Sequence, residues 1–385
     1  MTHEQHSAWP DLEGRSILVT GASGFLGARL VEVLSLHCRA QVKALVHTPS
    51  SQGVMRIARY PCEVLVADLR STSLERIVLG CEVVVHCAYG TQGNNEQRFR
   101  TTVESTKNLL AAARKQRVQH FIHVSSVAVY GNSLERELAD ETMACNPGQN
   151  WYSRAKYEAE KVVQREAGDL RWTILRPTNI FGPYSGSWTT APIQRIKSQY
   201  VALPGYGSGI ANMVYVDNVI LGILLSLNKP ESANETYIIN NDERLTWLTL
   251  YKAYANALGL GFNVANVSAG RKTNGLRLEI LRSILRIARP VIPATSQTFR
   301  SENTVGSVLR LGLREAPIIR QRLGGRIGLY TATMLPISRE DIQLYLSRTR
   351  FSAEKISRQL GYTQKVSFTK GISLSADWAR YQGLA

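Results

Sequence analysis

The sequence has no pair of cysteines in metal-binding or redox spacing. Its five cysteines, Cys38, Cys62, Cys81, Cys87 and Cys145, are odd in number and scattered. That pattern argues against a disulfide framework and a zinc site, so no metal is expected, and it suits a reducing cytoplasm. Long apolar runs are missing as well. The run VILGILLSL at 219–227 falls short of the roughly 20 residues a spanning helix needs. The polar start MTHEQHSAWPDLEG (1–14) contains no apolar segment of the kind a secretory signal requires, and reads as a tail. Acids are few against bases, 30 to 46, for a formal charge of +16. Residues 271–326 alone hold twelve Lys/Arg and three acids, a net of about +9.

What is present is alternation. The 385 residues allow a sizeable core and a second lobe. Strand-like runs occur at 15–20, 41–47, 62–68, 81–88, 120–126 and 172–177, with helical candidates such as STKNLLAAARKQ (105–116) between them. Near-continuous apolar strands alternating with helices predict an α/β fold, a doubly wound parallel sheet covered on both faces. That organisation covers 15–185 and is followed by a smaller C-terminal lobe, 186–385. In the lobe, SGSWTTAPIQRIKSQ and LPGYGSG (203–209) read as loops over a cleft. NETYIIN (234–240) reads as a late strand returning to the sheet and 246–259 as a helix. A basic insertion spans about 266–340.

The first strand runs into TGASGFLG, with Gly21, Gly24 and Gly27 spaced three apart. Glycines there permit a tight turn and close backbone approach to a pyrophosphate, and a helix beginning near Phe25 offers its positive end to that anion. Asp68 follows the third strand, where a carboxylate or backbone group meets an adenine ring. Small residues Cys87 and Ala88 end the fourth strand, where a ribose can lie against the backbone; His86 beside them reads as a packed histidine.

The stretch WYSRAKYEAE (151–160) places Tyr152 and Lys156 one helical turn apart. That spacing alone is common on solvated faces. It gains meaning from Ser125-Ser126 at the end of the preceding strand. A phenol titrates near pH 10, a nearby ammonium favours its phenolate, and a serine hydroxyl can hold a substrate oxygen. Together they make a proton donor-acceptor beside a carbinol or carbonyl while a nicotinamide carries the hydride.

The chain resembles the extended short-chain dehydrogenase/reductase family, also called the NAD-dependent epimerase/dehydratase family. The resemblance rests on TGASGFLG, ADL (67–69), HCA (86–88), SSVAVYG (125–131), YSRAK (152–156), LRPTNIFGP (175–183) and VYVDNV (214–219), in the family's order, plus a family-like segment at 351–378. It implies a Rossmann-like fold. It also implies Tyr152 as general acid/base, Ser126 positioning the substrate oxygen, and Lys156 binding the nicotinamide ribose and lowering the tyrosine's pKa. Gly21, Gly24, Phe25, Leu26, Gly27, Asp68, Leu69, Cys87, Ala88, Pro177 and Asn179 would line the cofactor, with Thr178 beside them.

Departures from the family pattern sharpen the reading. Val127 and Ala128 stand where sugar dehydratases carry Asp-Glu, so a 4,6-dehydratase is not expected. Ala211 and Asn212 stand where nucleotide-sugar members carry Arg-Asp, which removes a diphosphate grip unless Arg195 substitutes. Val46 and His47 end the second strand where NAD users carry an acid, so NADP is the preferred cofactor, with His47 or Arg56 near a 2′-phosphate and NAD the alternative. Thr102 replaces the usual asparagine of the helix after strand four.

LRLEILRSILRIARPVI (276–292) fits an amphipathic helix, read either as a lid or, through 271–326, as a peripheral contact with an anionic membrane. The arginines lack interleaved aromatics, so no nucleic acid is expected. The resemblance lies closer to the steroid-dehydrogenase-like branch. The expected activity is NAD(P)-dependent oxidation or reduction of a secondary alcohol or ketone in a sizeable, partly apolar small molecule. A sugar 4-epimerase with tightly held NAD is the alternative, and a non-catalytic NAD(P)-sensing scaffold a third. A homodimer is expected from the resemblance alone.

Overall fold

The computed structural model describes residues 9–49, 52–70, 74–132, 136–266 and 339–384. Seven parallel strands form its main sheet: β1 (Ser16–Thr20), β2 (Gln41–Val46), β3 (Cys62–Val66), β4 (Val83–His86), β5 (His120–Val124), β6 (Arg171–Pro177) and β7 (Glu235–Ile239). Their spatial order is β3-β2-β1-β4-β5-β6-β7, and every neighbouring pair is parallel. Alternate side chains serve opposite faces. Leu18, Val84, Phe121 and Ile174 pack with Leu109, Leu110 and Val163 on one side. Ile17, Val19, Val83 and Val85 pack with Leu30, Val31, Val219 and Ile223 on the other. Both faces are therefore dry, which is why these strands read as unbroken apolar runs.

The chain moves outward from β1 to β3 and then returns to start β4 on β1's other side. The crevice at the carboxyl ends of β1 and β4 is the switch point where such sheets bind ligands. Helices α1 (Phe25–Glu32), α2 (Gln52–Ile57), α3 (Glu75–Val78), α4 (Asn95–Lys115) and α5 (Trp151–Glu166) fill the connections. Asn94 and Gln97 close a reciprocal capping box on α4, and Asn150 caps α5 by accepting from the Tyr152 and Ser153 amides at 2.9 and 3.1 Å.

The expectation of loops across 186–199 needs correcting. A π-type turn, Gly186–Thr190, leads directly into α6 (Ala191–Lys197). Ser185 caps the turn at the Trp188 amide, and Pro192 sits in the first turn of α6, where its missing N–H costs nothing. The glycine-rich 203–209 contains a short 3-10 turn, Pro204–Gly207. VILGILLSL lies inside α7 (Val216–Asn228), most of which is buried. The helices α8 (Trp247–Leu258), α9 (Arg339–Leu346), α10 (Glu354–Leu360) and α11 (Phe368–Tyr381) follow among the described residues, with α8 and α10 each ending on a left-handed glycine, Gly259 and Gly361. A two-stranded parallel pair, Asn179–Phe181 with Met213–Tyr215, lies beyond the end of β6.

The amphipathic reading of 276–292, and the membrane contact through 271–326, lie outside the described residues. Among the described residues no helix is long and apolar enough to cross a membrane.

One buried ion pair fixes α5 on the sheet. Arg176 of β6 donates Nε and Nη2 to the two carboxylate oxygens of Glu160 at 3.0 and 2.6 Å, and Nη1 to the Tyr130 hydroxyl at 2.5 Å. Both partners are almost fully enclosed. Removing one partner leaves the other charge stranded, so Glu160→Gln should cost about 3–5 kcal/mol of unfolding free energy. Urea denaturation measures this, and the double variant Glu160→Leu/Arg176→Met should recover most of the loss. Equal stability of wild type and Glu160→Gln would contradict the assignment.

Candidate active site

The turn after β1 is built for close approach. Gly21 adopts φ +65°, and a Cβ there would stand 2.9 Å from the Ala88 backbone. A Cβ on Gly27 would overlap the Gly21 carbonyl, so the turn and α1 close on each other only with glycine. Gly24 begins α1 without any side-chain cap, which leaves the first amides of the helix for a ligand. A cavity of about 470 Å³ opens beside this turn, large enough for much of a dinucleotide.

Gly21, Gly24, His47, Asp68, Leu69, Cys87 and Ala88 all line this cavity. Phe25, Leu26 and Gly27 form the first turn of α1 behind it. A Gly-lined cradle, an open helix start and a polar far end fit a bound dinucleotide: the helix start would meet the pyrophosphate and the Asp68 end the adenosine. The Asp68 carboxylate pairs with Arg70, and that hydrogen bonding holds it down at about 2. His47 lies close enough to act on Asp68 electrostatically. Arg56, the other candidate for a 2′-phosphate, is committed elsewhere: its guanidinium stacks 3.6 Å from the Tyr184 ring centre.

Ser126, Tyr152 and Lys156 are not among the lining residues of this cavity, and the link to it is Tyr89, which lines it and packs on Tyr152 and Lys156. Ser126 follows β5, accepts from the Ala128 amide at 3.2 Å and lies close enough to the Tyr152 phenol to favour its ionised form. Lys156 is buried and donates to the Val124 carbonyl at 2.8 Å. Burial pulls its ammonium down to about 8, opposed by Cys87 and Glu160. Burial drives the Tyr152 phenol well above its ordinary value, Tyr89 adds to the rise, and the neighbouring Ser126 hydroxyl opposes it. The expected lowering of the Tyr152 pKa by Lys156 is therefore corrected for this arrangement: the phenol stands raised, and the ammonium is turned to the Val124 carbonyl.

Pro177 ends β6, and the Asn179 amide donates to the Ala211 carbonyl at 2.6 Å, so its side chain supports the backbone here. His86 is a core residue, as its sequence context suggested. Its ring nitrogens bond to Thr20 and Thr106 at 2.7 and 3.1 Å, and burial lowers it to about 3.

Ala211 is fully enclosed, and the Asn212 side chain ties down the returning backbone at Thr349 and Phe351. Arg195 gives Nη1 to the hydroxyls of Tyr251 and Tyr345, both at 2.9 Å, which argues against the diphosphate grip it was considered for. Thr102 donates to the Arg98 carbonyl and accepts from the Gly90 amide, pinning the loop after β4.

Three cavity features escaped the sequence reading. Arg70 follows ADL directly. Gln97, Thr101 and Ser105 line the cavity at every fourth position of α4, a polar stripe that was visible in the sequence. Tyr89 sets its ring 5.6 Å edge-on to Tyr152 and 5.4 Å from the Lys156 ammonium.

The sequence model of the NAD dependent epimerase/dehydratase family matches residues 17–240, more than half of the chain. The chain belongs to this family, whose members are NAD-dependent enzymes of the extended short-chain dehydrogenase/reductase type. Among curated relatives, the N-acetyl-alpha-D-glucosaminyl-diphospho-ditrans,octacis-undecaprenol 4-epimerase of Escherichia coli O157:H7 is 28% identical over 232 residues. That match spans 58% of this chain and 66% of the relative, just under two thirds of its length. The decarboxylating sterol-4-alpha-carboxylate 3-dehydrogenase of Candida albicans is 27% identical over 259 residues, 61% of this chain and 73% of its own. The UDP-glucuronic acid 4-epimerase of Bacillus cereus, solved with UDP-glucuronic acid and NAD, shares the fold at a TM-score of 0.68. Its identity is 18%, over 95% of this chain and 99% of that one.

The depressed Lys156 makes a stability prediction for protein without added cofactor. Its folded pKa of about 8 lies below the ordinary value of 10.5, so between those pH values the unfolded chain binds more protons. Stability should therefore rise from pH 8 to 10.5 by up to about 3 kcal/mol relative to Lys156→Met, the penalty being fully present below pH 8. Urea unfolding of both proteins across that range tests it; parallel pH profiles would refute it.

Proposed function

We propose that this protein is an NAD(P)-dependent dehydrogenase/reductase acting on a secondary alcohol or ketone within a sizeable, partly apolar small molecule. The observation that carries this reading is Ser126 standing beside the Tyr152 phenol, with Lys156 one turn further along α5 and Tyr89 of the cavity wall edge-on to Tyr152. In reduction, Ser126 holds the carbonyl oxygen and Tyr152 gives it a proton as the carbon receives hydride. A bound nicotinamide supplies that hydride, and takes it back in the reverse reaction. Lys156, one turn from Tyr152 on α5, would hold the nicotinamide ribose. The raised phenol supports a protonated donor at neutral pH.

For the cofactor, NADP is the preferred form. His47 and Arg70 both line the adenosine end of the cavity, and Val46 leaves no acid at the end of β2 to repel a 2′-phosphate. NAD is the alternative. The epimerase relatives favour a second reading, a sugar 4-epimerase that oxidises and re-reduces with a retained NAD. The enclosed Ala211 argues against a nucleotide-sugar substrate for it. Non-exchanging stoichiometric NAD with no net redox change per turnover would decide for this second reading.

Tyr152→Phe should lower kcat by about 10²–10⁴-fold while cofactor affinity, measured by fluorescence titration, stays nearly unchanged. Full turnover by this variant would remove Tyr152 from the chemistry. The double variant His47→Gln/Arg70→Gln should weaken NADPH by about tenfold or more and spare NADH, since charge-assisted phosphate contacts are worth about 1.5–3 kcal/mol each. Equal losses for both cofactors would overturn the NADP preference.

A further inference from the structure

On α4, Arg98 has neither a side-chain hydrogen bond nor an ion pair among the described residues, and only an aromatic ring beside it. Gln97, Thr101 and Ser105 face the cavity, and Arg98 and Thr102 stand one residue further round the helix. Thr102 holds the Gly90 amide, and a Cβ on Gly90 would overlap the Arg98 carbonyl, so this turn of α4 packs tightly against the loop that carries Tyr89. The Arg98 guanidinium lies 5.6 Å from the Trp151 ring centre. Trp151 in turn meets the Tyr152 ring edge-on at 5.8 Å, and Tyr89 meets it from another direction at 5.6 Å.

The Arg98 Nε is buried and makes no hydrogen bond. Among the described residues Arg98 has no ion-pair partner, although its near neighbour Glu96 pairs with Arg100 at 2.9 Å. Buried donors in folded proteins are nearly always satisfied, and an unsatisfied guanidinium nitrogen is a strong claim on an acceptor.

We infer that Arg98, backed by Trp151 and Tyr89, binds an oxyanion of the substrate, carboxylate or phosphate, next to the carbon that reacts at Tyr152. This rests on the oxidoreductase reading above and narrows it to anionic hydroxy or oxo compounds. A planar guanidinium satisfies two oxygens of such a group at once, which a neutral ester cannot reproduce. The aromatic rings give the apolar part of the same molecule a surface to lie on.

The test uses benzoylacetate, its methyl ester and inorganic phosphate as probes of the full chain saturated with NADPH or NADH. Binding is read by thermal shift and by tryptophan fluorescence. Wild type should bind one of the anions, benzoylacetate or phosphate, at least about tenfold more tightly than the ester; the tighter of the two identifies the head group. Arg98→Gln should abolish that preference and leave cofactor affinity and ester binding within about twofold, and Arg98→Lys should keep part of it. Equal binding of acid, ester and phosphate by wild type, or an unchanged preference in Arg98→Gln, would overturn the inference. Arg98-dependent anion binding without turnover of any oxo acid would leave the anion site standing and remove the oxidoreductase reading instead.

Discussion

A single guanidinium, that of Arg176, joins the elements that carry the reactive groups. It reaches Glu160 on α5 with two nitrogens and the Tyr130 hydroxyl with a third. Glu160 continues the line of Tyr152 and Lys156 along one face of the helix, at every fourth position. Tyr130 closes the short turn that begins at Ser126, and Arg176 itself precedes Pro177 at the end of β6. Enclosing two charges is costly, and their mutual attraction repays it only with bidentate geometry and every donor used. Those conditions specify one registration of α5 against β6. They also fix where the phenol, ammonium and serine stand relative to one another, and a merely apolar contact would tolerate a shift of that helix.

Beside this lock the described sheet encloses a further charged group, Lys156. His86 and His123 lie near Lys156, and burial together with that ammonium keeps both imidazoles unprotonated at neutral pH. Cys87 stays a thiol, with burial pushing it to about 12. Lys156 is therefore the cation beside the ends of β4 and β5, held by the Val124 carbonyl and partly destabilised by its enclosure. An ammonium in that condition gains more from a new hydroxyl or anion than one already solvated. The same logic applies to Arg98 on the neighbouring helix. Both cations are placed where a ligand improves their surroundings.

The sheet was legible because its residues obey local rules. Strand runs such as RSILVT are apolar on both faces, and the glycines of TGASGFLG serve a turn whose constraints act within a few residues. The start of α4 was missed: the helix read at 105–116 begins ten residues earlier, at Asn95, behind the Asn94–Gln97 capping box. What stayed hidden depends on distant partners. No sequence pattern tells that Arg56 lies over Tyr184, that Arg195 serves Tyr251 and Tyr345, or that Arg176 meets Glu160 across helix and strand. The segment before α6 misled for a different reason: Gly, Ser and Thr are poor helix formers, and the turn forms because Ser185 caps it and Thr189 bonds both the Gly182 carbonyl and the Tyr254 hydroxyl.

The residues absent from the cleft constrain the chemistry as firmly as those present. Elimination of water from an oxidised intermediate needs a carboxylate beside the reacting carbon, and Val127 and Ala128 supply none. Gripping a sugar nucleotide needs a cation reaching the diphosphate. The enclosed methyl of Ala211 offers none, and Arg195 already bonds two tyrosines. A substrate held beside Tyr152 gains selectivity from the groups around that phenol, among them the aromatic rings of Tyr89 and Trp151, with the Arg98 guanidinium beside Trp151.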